Sequence, residues 1–273
     1  MPPRDELPDD PLERVLAIMA RLRDPRDGCP WDLKQTWDSI VPHTLEEAYE
    51  VADAIARRDF DGVRDELGDV LLQVVFYARI AEEEGRFDIR DVSRGLADKL
   101  VRRHPHVFGD ARFETEADQH AAWEAEKARE RAERGEDAAA PGHLDGVALA
   151  LPALTRAVKL QKRAARVGFD WDTLEPVLGK IMEEFEEVRV EIQAGAPEER
   201  IKDEVGDLLF AVSNLARHLG VDPEAALRGT NAKFEDRFRY MEQVLAGQGR
   251  RLEDADLAEL DGLWEKAKGR WVG

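Results

Sequence analysis

Apolar residues recur along this chain at steps of three and four, and segments that alternate apolar and polar positions are scarce and short. The pattern predicts an all-α protein. Helices are expected over 44–57, 63–84, 89–103, 116–134, 151–166, 173–193, 198–219, 223–247 and 257–270. The first is expected to open at a capping box, Thr44-Leu45-Glu46-Glu47, with Thr44 as N-cap and Glu47 at N3. The second carries the stripe Leu67, Val70, Leu71, Val74, Val75 and Ala78. The connection between these two, residues 57–62, is short enough to make them antiparallel neighbours. Residues 135–143 (GEDAAAPGH) offer no apolar anchor and read as a linker. The expected domains are therefore 1–134 and 149–273, joined by 135–148.

The pattern restarts after that linker, and the two halves match. Leu-Glu-Glu-Ala-Tyr-Glu-Val (45–51) is followed by Asp-Glu-Leu-Gly-Asp-Val-Leu-Leu (65–72). Met-Glu-Glu-Phe-Glu-Glu-Val (182–188) is followed by Asp-Glu-Val-Gly-Asp-Leu-Leu-Phe (203–210). Upstream, Cys-Pro-Trp-Asp (29–32) parallels Gly-Phe-Asp-Trp-Asp (168–172). Downstream, Lys99 and Arg103 parallel Lys233 and Arg237, and Trp123 and Lys127 parallel Trp264 and Lys268. Two long copies make a tandem duplication rather than a solenoid.

Composition narrows the function classes. With 59 acidic against 40 basic residues the 273-residue chain carries a net charge of -19. Such a surface repels phosphate polymers and anionic lipid, so neither a nucleic acid polymer nor a membrane is an expected partner. The single cysteine, Cys29, excludes an intrachain disulfide and a cysteine-rich zinc site. The acidic N-terminus lacks a signal-peptide core, and the longest apolar stretches fall far short of the roughly 20 residues of a membrane span. A cytoplasmic protein is expected.

The acidic positions carry the candidate chemistry. Residues three apart share a helix face, so Glu184 and Glu187 project together, as do Glu204 and Asp207. Antiparallel packing would gather all four. Bare carboxylates at 4 Å repel by roughly 4 kcal/mol per pair at an effective dielectric of 20, a cost that a divalent cation between them removes. Hard oxygen ligands favour Mg²⁺, with Mn²⁺ as a substitute, over Zn²⁺. Glu47, Glu50, Glu66 and Asp69 repeat the arrangement. In an acidic chain one such pattern also fits a solvated helix face. Its recurrence in register, around mid-helix glycines Gly68 and Gly206, favours a metal site. A di-iron bundle would need Glu-x-x-His pairs where Asp69 and Asp207 stand. Lys233 and Arg237 share a face, as do Trp264 and Lys268, and cations near an acidic metal centre suit a polyphosphate.

Together, E-E-x-x-E…E-x-x-D, the upstream Gly-Phe-Asp-Trp and Asn-Ala-Lys-Phe-Glu-Asp-Arg-Phe (231–238) resemble the MazG nucleoside triphosphate pyrophosphohydrolases over nearly the whole chain. The resemblance implies tandem four-helix-bundle-like domains, a homodimer, Mg²⁺ dependence, and hydrolysis of (d)NTPs to monophosphate and pyrophosphate. By position it makes Glu184, Glu187, Glu204 and Asp207 the catalytic metal ligands. It makes Lys233, Arg237, Trp264 and Lys268 nucleotide contacts, with Lys180, Glu183 and Asp203 as further contributors. It also implies that the second copy is the main catalytic domain. The first copy departs at its cationic positions, where Lys99 and Arg103 sit beside Arg102 and His-Pro-His. The alternatives are a specialised dUTPase-like, dCTPase-like or phosphoribosyl-ATP pyrophosphohydrolase, and a non-catalytic helical regulator that needs no metal.

Overall fold

The computed structural model describes residues 7–269 apart from 116–117, 120–121, 124, 127–128 and 131–141. The helices bounded among the described residues are α1 (Pro11–Leu22), α2 (Trp37–Arg57), α3 (Phe60–Glu83), α4 (Ile89–Arg103), α5 (Pro105–Phe108), α6 (Ala153–Ala165), α7 (Leu174–Ala194), α8 (Glu198–His218), α9 (Pro223–Ala246) and α10 (Leu257–Lys268). No strand occurs among the described residues. The helix expected over 116–134 and residues 135–141 of the expected linker lie partly or wholly outside them. The chain divides into two compact units, Met1–Glu130 and Arg131–Gly273. Within the stretch expected to be a linker, Val147 is buried and Leu144 lines a cavity of the second unit.

Each unit is built on an antiparallel helical hairpin, α2 with α3 and α7 with α8, against which a preceding helix packs: α1 on α3, and α6 on α8. In the second unit the hairpin seam runs through Val177, Ile181, Glu184 and Val188 on one helix and Glu204, Leu208, Ala211 and Leu215 on the other. These positions step by three and four, the spacing of two helices packed nearly antiparallel. The hairpin turns in the two units differ in one respect. The residue after α7 is Gly195 in the left-handed region (φ 62°), while after α2 the same conformation is held by Arg58 (φ 59°). Glycine takes that conformation freely and a side chain does so at a cost.

Three expectations are corrected. Helix α2 does not open at Thr44. It opens seven residues earlier, where Thr36 and Ser39 form a reciprocal capping box, and it continues through Pro42. Proline removes one backbone donor, but the cap upstream and the packing of Ile40 hold the first turns in place. Thr44 lies inside the helix and bonds the Ile40 carbonyl and the Tyr77 hydroxyl. Helix α1, absent from the expected set, is capped by Asp10 with Pro11 at its first position. It supplies Met19 to a core of Ile40, Val75, Phe76 and Ile80.

The third correction concerns the apolar stripes. On α3, Val75 and Ala78 are buried, but Leu67, Leu71 and Val74 are exposed. On α8, Val205, Leu209 and Val212 are exposed, as is Leu219 just after it, and so are Leu178, Met182, Phe185 and Ile192 on α7. The hairpin helices thus carry two apolar stripes each. One closes the hairpin; the other faces outward. The glycines fit this picture. A Cβ built at Gly68 or Gly206 meets no protein atom within 4 Å, so packing inside the unit does not explain them.

Candidate active site

Glu184, Glu204 and Asp207 each bring a carboxylate oxygen within 4.8 Å of the other two. Glu184 comes from the buried seam of α7 and is 4% exposed; Glu204 is half-buried and Asp207 exposed, one turn apart on α8. Lys180, one turn before Glu184, sits 2.6 Å from its Oε1 and 2.8 Å from Oε1 of Glu183. The Glu183 and Glu184 carboxylates push the Lys180 ammonium up, so it stays charged. Glu184 Oε2 is buried and receives no hydrogen bond. A carboxylate oxygen with no donor in a protein interior calls for a cation or a proton. Glu187 lies outside the trio but beside it. Partial desolvation, then repulsion from Glu184 and Glu204, raise its carboxyl above the ordinary range. Hard oxygen donors, mutual repulsion and one orphaned oxygen fit a divalent cation. Asp203 and Glu183 are exposed on the flanks.

The cationic residues form a second group on α9 and α10. Lys233 and Arg237 are half-buried one turn apart. The Arg237 guanidinium carbon lies 5.5 Å from the centroid of the Trp264 ring, and its Nε is buried without an acceptor. Trp264 also meets Phe234 at 5.2 Å and packs on the core of Met241, Leu245 and Leu263. It is therefore both a core residue and the plate under Arg237. Lys268 is exposed and paired with Glu265 on its own helix.

A cavity of about 630 Å³ adjoins the acidic trio, and Lys180, Glu184 and Asp207 belong to its wall. Most of its lining is apolar, from Leu160, Val177, Phe210, Phe169 and Trp171. Its polar lining includes Gln161, Asp170, Asn214 and Arg217. Arg217 grips both oxygens of Asp170 at 2.9 and 2.5 Å and donates its Nε to Asn214 Oδ1 at 2.9 Å. The Arg217 pairing holds the Asp170 carboxyl below its usual range. Spacing arguments missed Gln161, Asp170, Asn214 and Arg217. One signal was available: a polar pair, Ser213-Asn214, sits among the apolar positions of α8.

The first unit repeats the acids but not their surroundings. Glu47, Glu66 and Asp69 also converge within 4.8 Å. Desolvation and the neighbouring acids raise Glu47 and Glu66 above the ordinary range. Where Lys180 stands, the first copy has His43, 3.8 Å from Glu46. Where Asn214 stands it has Phe76, buried in the core beside Ile40 and Met19. Arg103, the counterpart of Arg237, is spent on Glu130, which Arg102 also grips. Glu130 is 5% exposed, and Arg103, then Arg102, hold its carboxyl down at about 2. The counterpart of Lys268, Lys127, lies outside the described residues.

Comparison with known proteins agrees with this duplicated geometry. The profile of the MazG nucleotide pyrophosphohydrolase domain matches twice, over residues 35–108 and 172–241. The nucleoside triphosphate pyrophosphohydrolase of Escherichia coli K12 is 52% identical over 258 residues, covering 94% of this chain and 97% of that one. The nucleoside triphosphate pyrophosphohydrolase/pyrophosphatase MazG of Thermotoga maritima is 45% identical over 258 residues, 94% of this chain and 96% of its own. The nucleoside triphosphate pyrophosphohydrolase of Mycobacterium tuberculosis is 32% identical over 262 residues, 95% of this chain and 68% of its own. On the doubled domain match and these near-full-length similarities, the chain belongs to the MazG nucleotide pyrophosphohydrolase family.

Proposed function

We propose that this nucleoside triphosphate pyrophosphohydrolase works through its second unit, hydrolysing (d)NTPs to the (d)NMP and pyrophosphate with Mg²⁺ or Mn²⁺. One observation carries the reading. Three carboxylates converge around an orphaned buried oxygen, and two of them, Glu184 and Asp207, stand with Lys180 at the wall of an apolar cavity large enough for a nucleoside.

Glu184, Glu187, Glu204 and Asp207 would hold the cation, with Glu187 joining the trio from the flank as a fourth carboxylate. A cation held there would supply charge neutralisation for the triphosphate and would make a water more acidic. The residues supply the rest. Lys180 meets a phosphate oxygen, kept in place by Glu183 and Glu184. Lys233, Arg237 and Lys268 take up charge on the departing pyrophosphate, with Arg237 supported by the Trp264 face. Asp203, exposed on the flank of the acidic face, would add a further nucleotide contact. The attacking water gives its proton to a carboxylate of the cluster, and the bond from the α-phosphorus to the pyrophosphate oxygen breaks. No covalent protein intermediate is needed. Hydrolysis in H₂¹⁸O tests the step: label in the monophosphate is expected, and label only in pyrophosphate would overturn attack at the α-phosphorus.

The outward apolar stripes of α7 and α8 support a homodimer, since two hairpins laid stripe to stripe make a four-helix bundle. A sedimentation mass of one chain would contradict it. Among the described residues no helix is long and apolar enough to cross a membrane. We place the protein in the cytoplasm, where nucleoside triphosphates and Mg²⁺ are found. Clearance of damaged nucleotides and control of a signalling nucleotide both suit such an activity.

A further inference from the structure

Two side-chain amides in the cavity of the second unit have their orientation fixed by the protein. Gln161 on α6 donates its Nε2 hydrogen to the backbone carbonyl of Phe210 at 2.9 Å. A carbonyl only accepts, so this bond decides which end of the amide is which. Oε1 is the other end, and it is buried with no donor. Asn214, one turn beyond Phe210 on α8, accepts from Arg217 Nε through Oδ1 at 2.9 Å. A guanidinium only donates, so the Asn214 amide is fixed as well, and Nδ2 is the end that remains to give. Arg217 is itself held by both oxygens of Asp170. Both amides are 8% exposed, and both belong to the wall that Glu184 and Asp207 share.

An acceptor left alone in a protein interior is unusual and unfavourable. A ligand that brings an N–H to it relieves that cost on binding. We propose that Gln161 and Asn214 read the nucleobase: Oε1 of Gln161 accepts an N–H from the base edge, and Nδ2 of Asn214 donates to the adjacent acceptor atom. The inference rests on the pyrophosphohydrolase reading of this site and specifies what the site recognises in its substrate. Adenine and cytosine offer an amino group next to a ring nitrogen. Guanine and uracil offer a ring N–H next to a keto oxygen. One acceptor and one donor therefore suit each of these bases, and the pair selects for an intact pairing edge rather than for one base.

The test needs no variant at first. Purine riboside 5′-triphosphate keeps the adenine ring and lacks the 6-amino group, the only exocyclic N–H donor of that base. The wild-type chain is expected to favour ATP over it by about tenfold to a hundredfold in kcat/KM. In Gln161→Leu the ratio is expected to fall toward one, because ATP loses its partner and the purine riboside nucleotide had none. Gln161→Met serves as a second variant, with thermal melting to confirm folding. Equal kcat/KM for the two nucleotides in the wild type, or an undiminished ratio in a folded Gln161 variant, overturns base reading while leaving the pyrophosphohydrolase intact. Failure to hydrolyse any triphosphate would overturn both.

Discussion

In the second unit Asn214 and Val177 border a cavity; in the first, Phe76 and Ile40 occupy the corresponding positions in a packed core. The second keeps Lys180 on its acidic trio and leaves Arg237 Nε without an acceptor. The first has His43 at one of those positions and an arginine closed on Glu130 at the other. Yet both gather their carboxylates within the same 4.8 Å. A cluster of acids is thus the least discriminating part of the site. What separates the copies is an arginine not closed on a carboxylate and, beside the acids, an open cavity walled by Lys180. An arginine already satisfied by a buried carboxylate has little left for a phosphate, and a filled pocket has none to give a base.

That contrast can be broken most sharply at the acids. Glu184→Ala and Asp207→Ala are each expected to lower kcat for pyrophosphate release at least about 100-fold. Glu47→Ala and Asp69→Ala are expected to leave it within about threefold. Equal losses would make both copies catalytic and erase the distinction. Exchanging the cavity residues comes next. Phe76→Asn is expected to destabilise the first unit by about 3 kcal/mol in denaturant unfolding. Asn214→Phe is expected to fill the second unit's cavity, preserving its fold and raising KM. A smaller effect lies at the arginines. Arg237→Ala should raise KM for ATP about tenfold through loss of a charge-assisted contact, while Arg103→Ala should leave KM unchanged.

The smallest effect is in pH. Glu130 titrates at about 2 in the fold, below its ordinary 4.5, so its pairing stabilises the first unit fully above about pH 4.5. That contribution is lost as pH falls toward 2. Amide exchange protection in α4 should therefore decline over this window more than in α9. Glu130→Gln should remove the difference.

Much of this was legible in the sequence, for physical reasons that vary by element. The periodicity placed α4 and the second unit's helices to within a residue or two at most ends, since amphipathic stripes and caps are local signals. Thr44 misleads because Thr-Leu-Glu-Glu has the spacing of a capping box, while the real cap at Thr36 lies upstream of Pro42. Periodicity alone predicts one apolar face per helix. In the structure the stripes divide into a buried seam and an outward row, a distinction that period alone does not make. The acids were found because i and i+3 project together. The cavity was not, because Gln161, Asp170 and Asn214 lie on separate elements and meet only when α6 packs on α8. The departure of the first copy at Arg103 is legible in its neighbours Arg102 and His-Pro-His, but its physical form, a pairing with Glu130 27 positions away, needs the fold.

The Asp170–Arg217 pair sorts charge along the second unit's cavity. Two opposite ions joined tooth to tooth present their surroundings with a dipole and almost no monopole. An uncharged aromatic heterocycle can lie against that floor without stripping a lone ion of water, and a triphosphate finds nothing there to hold it the wrong way round. In a chain that carries so large an excess of acid, tying one cation to one acid in that wall leaves polarity, rather than net charge, to sort an amphiphilic guest.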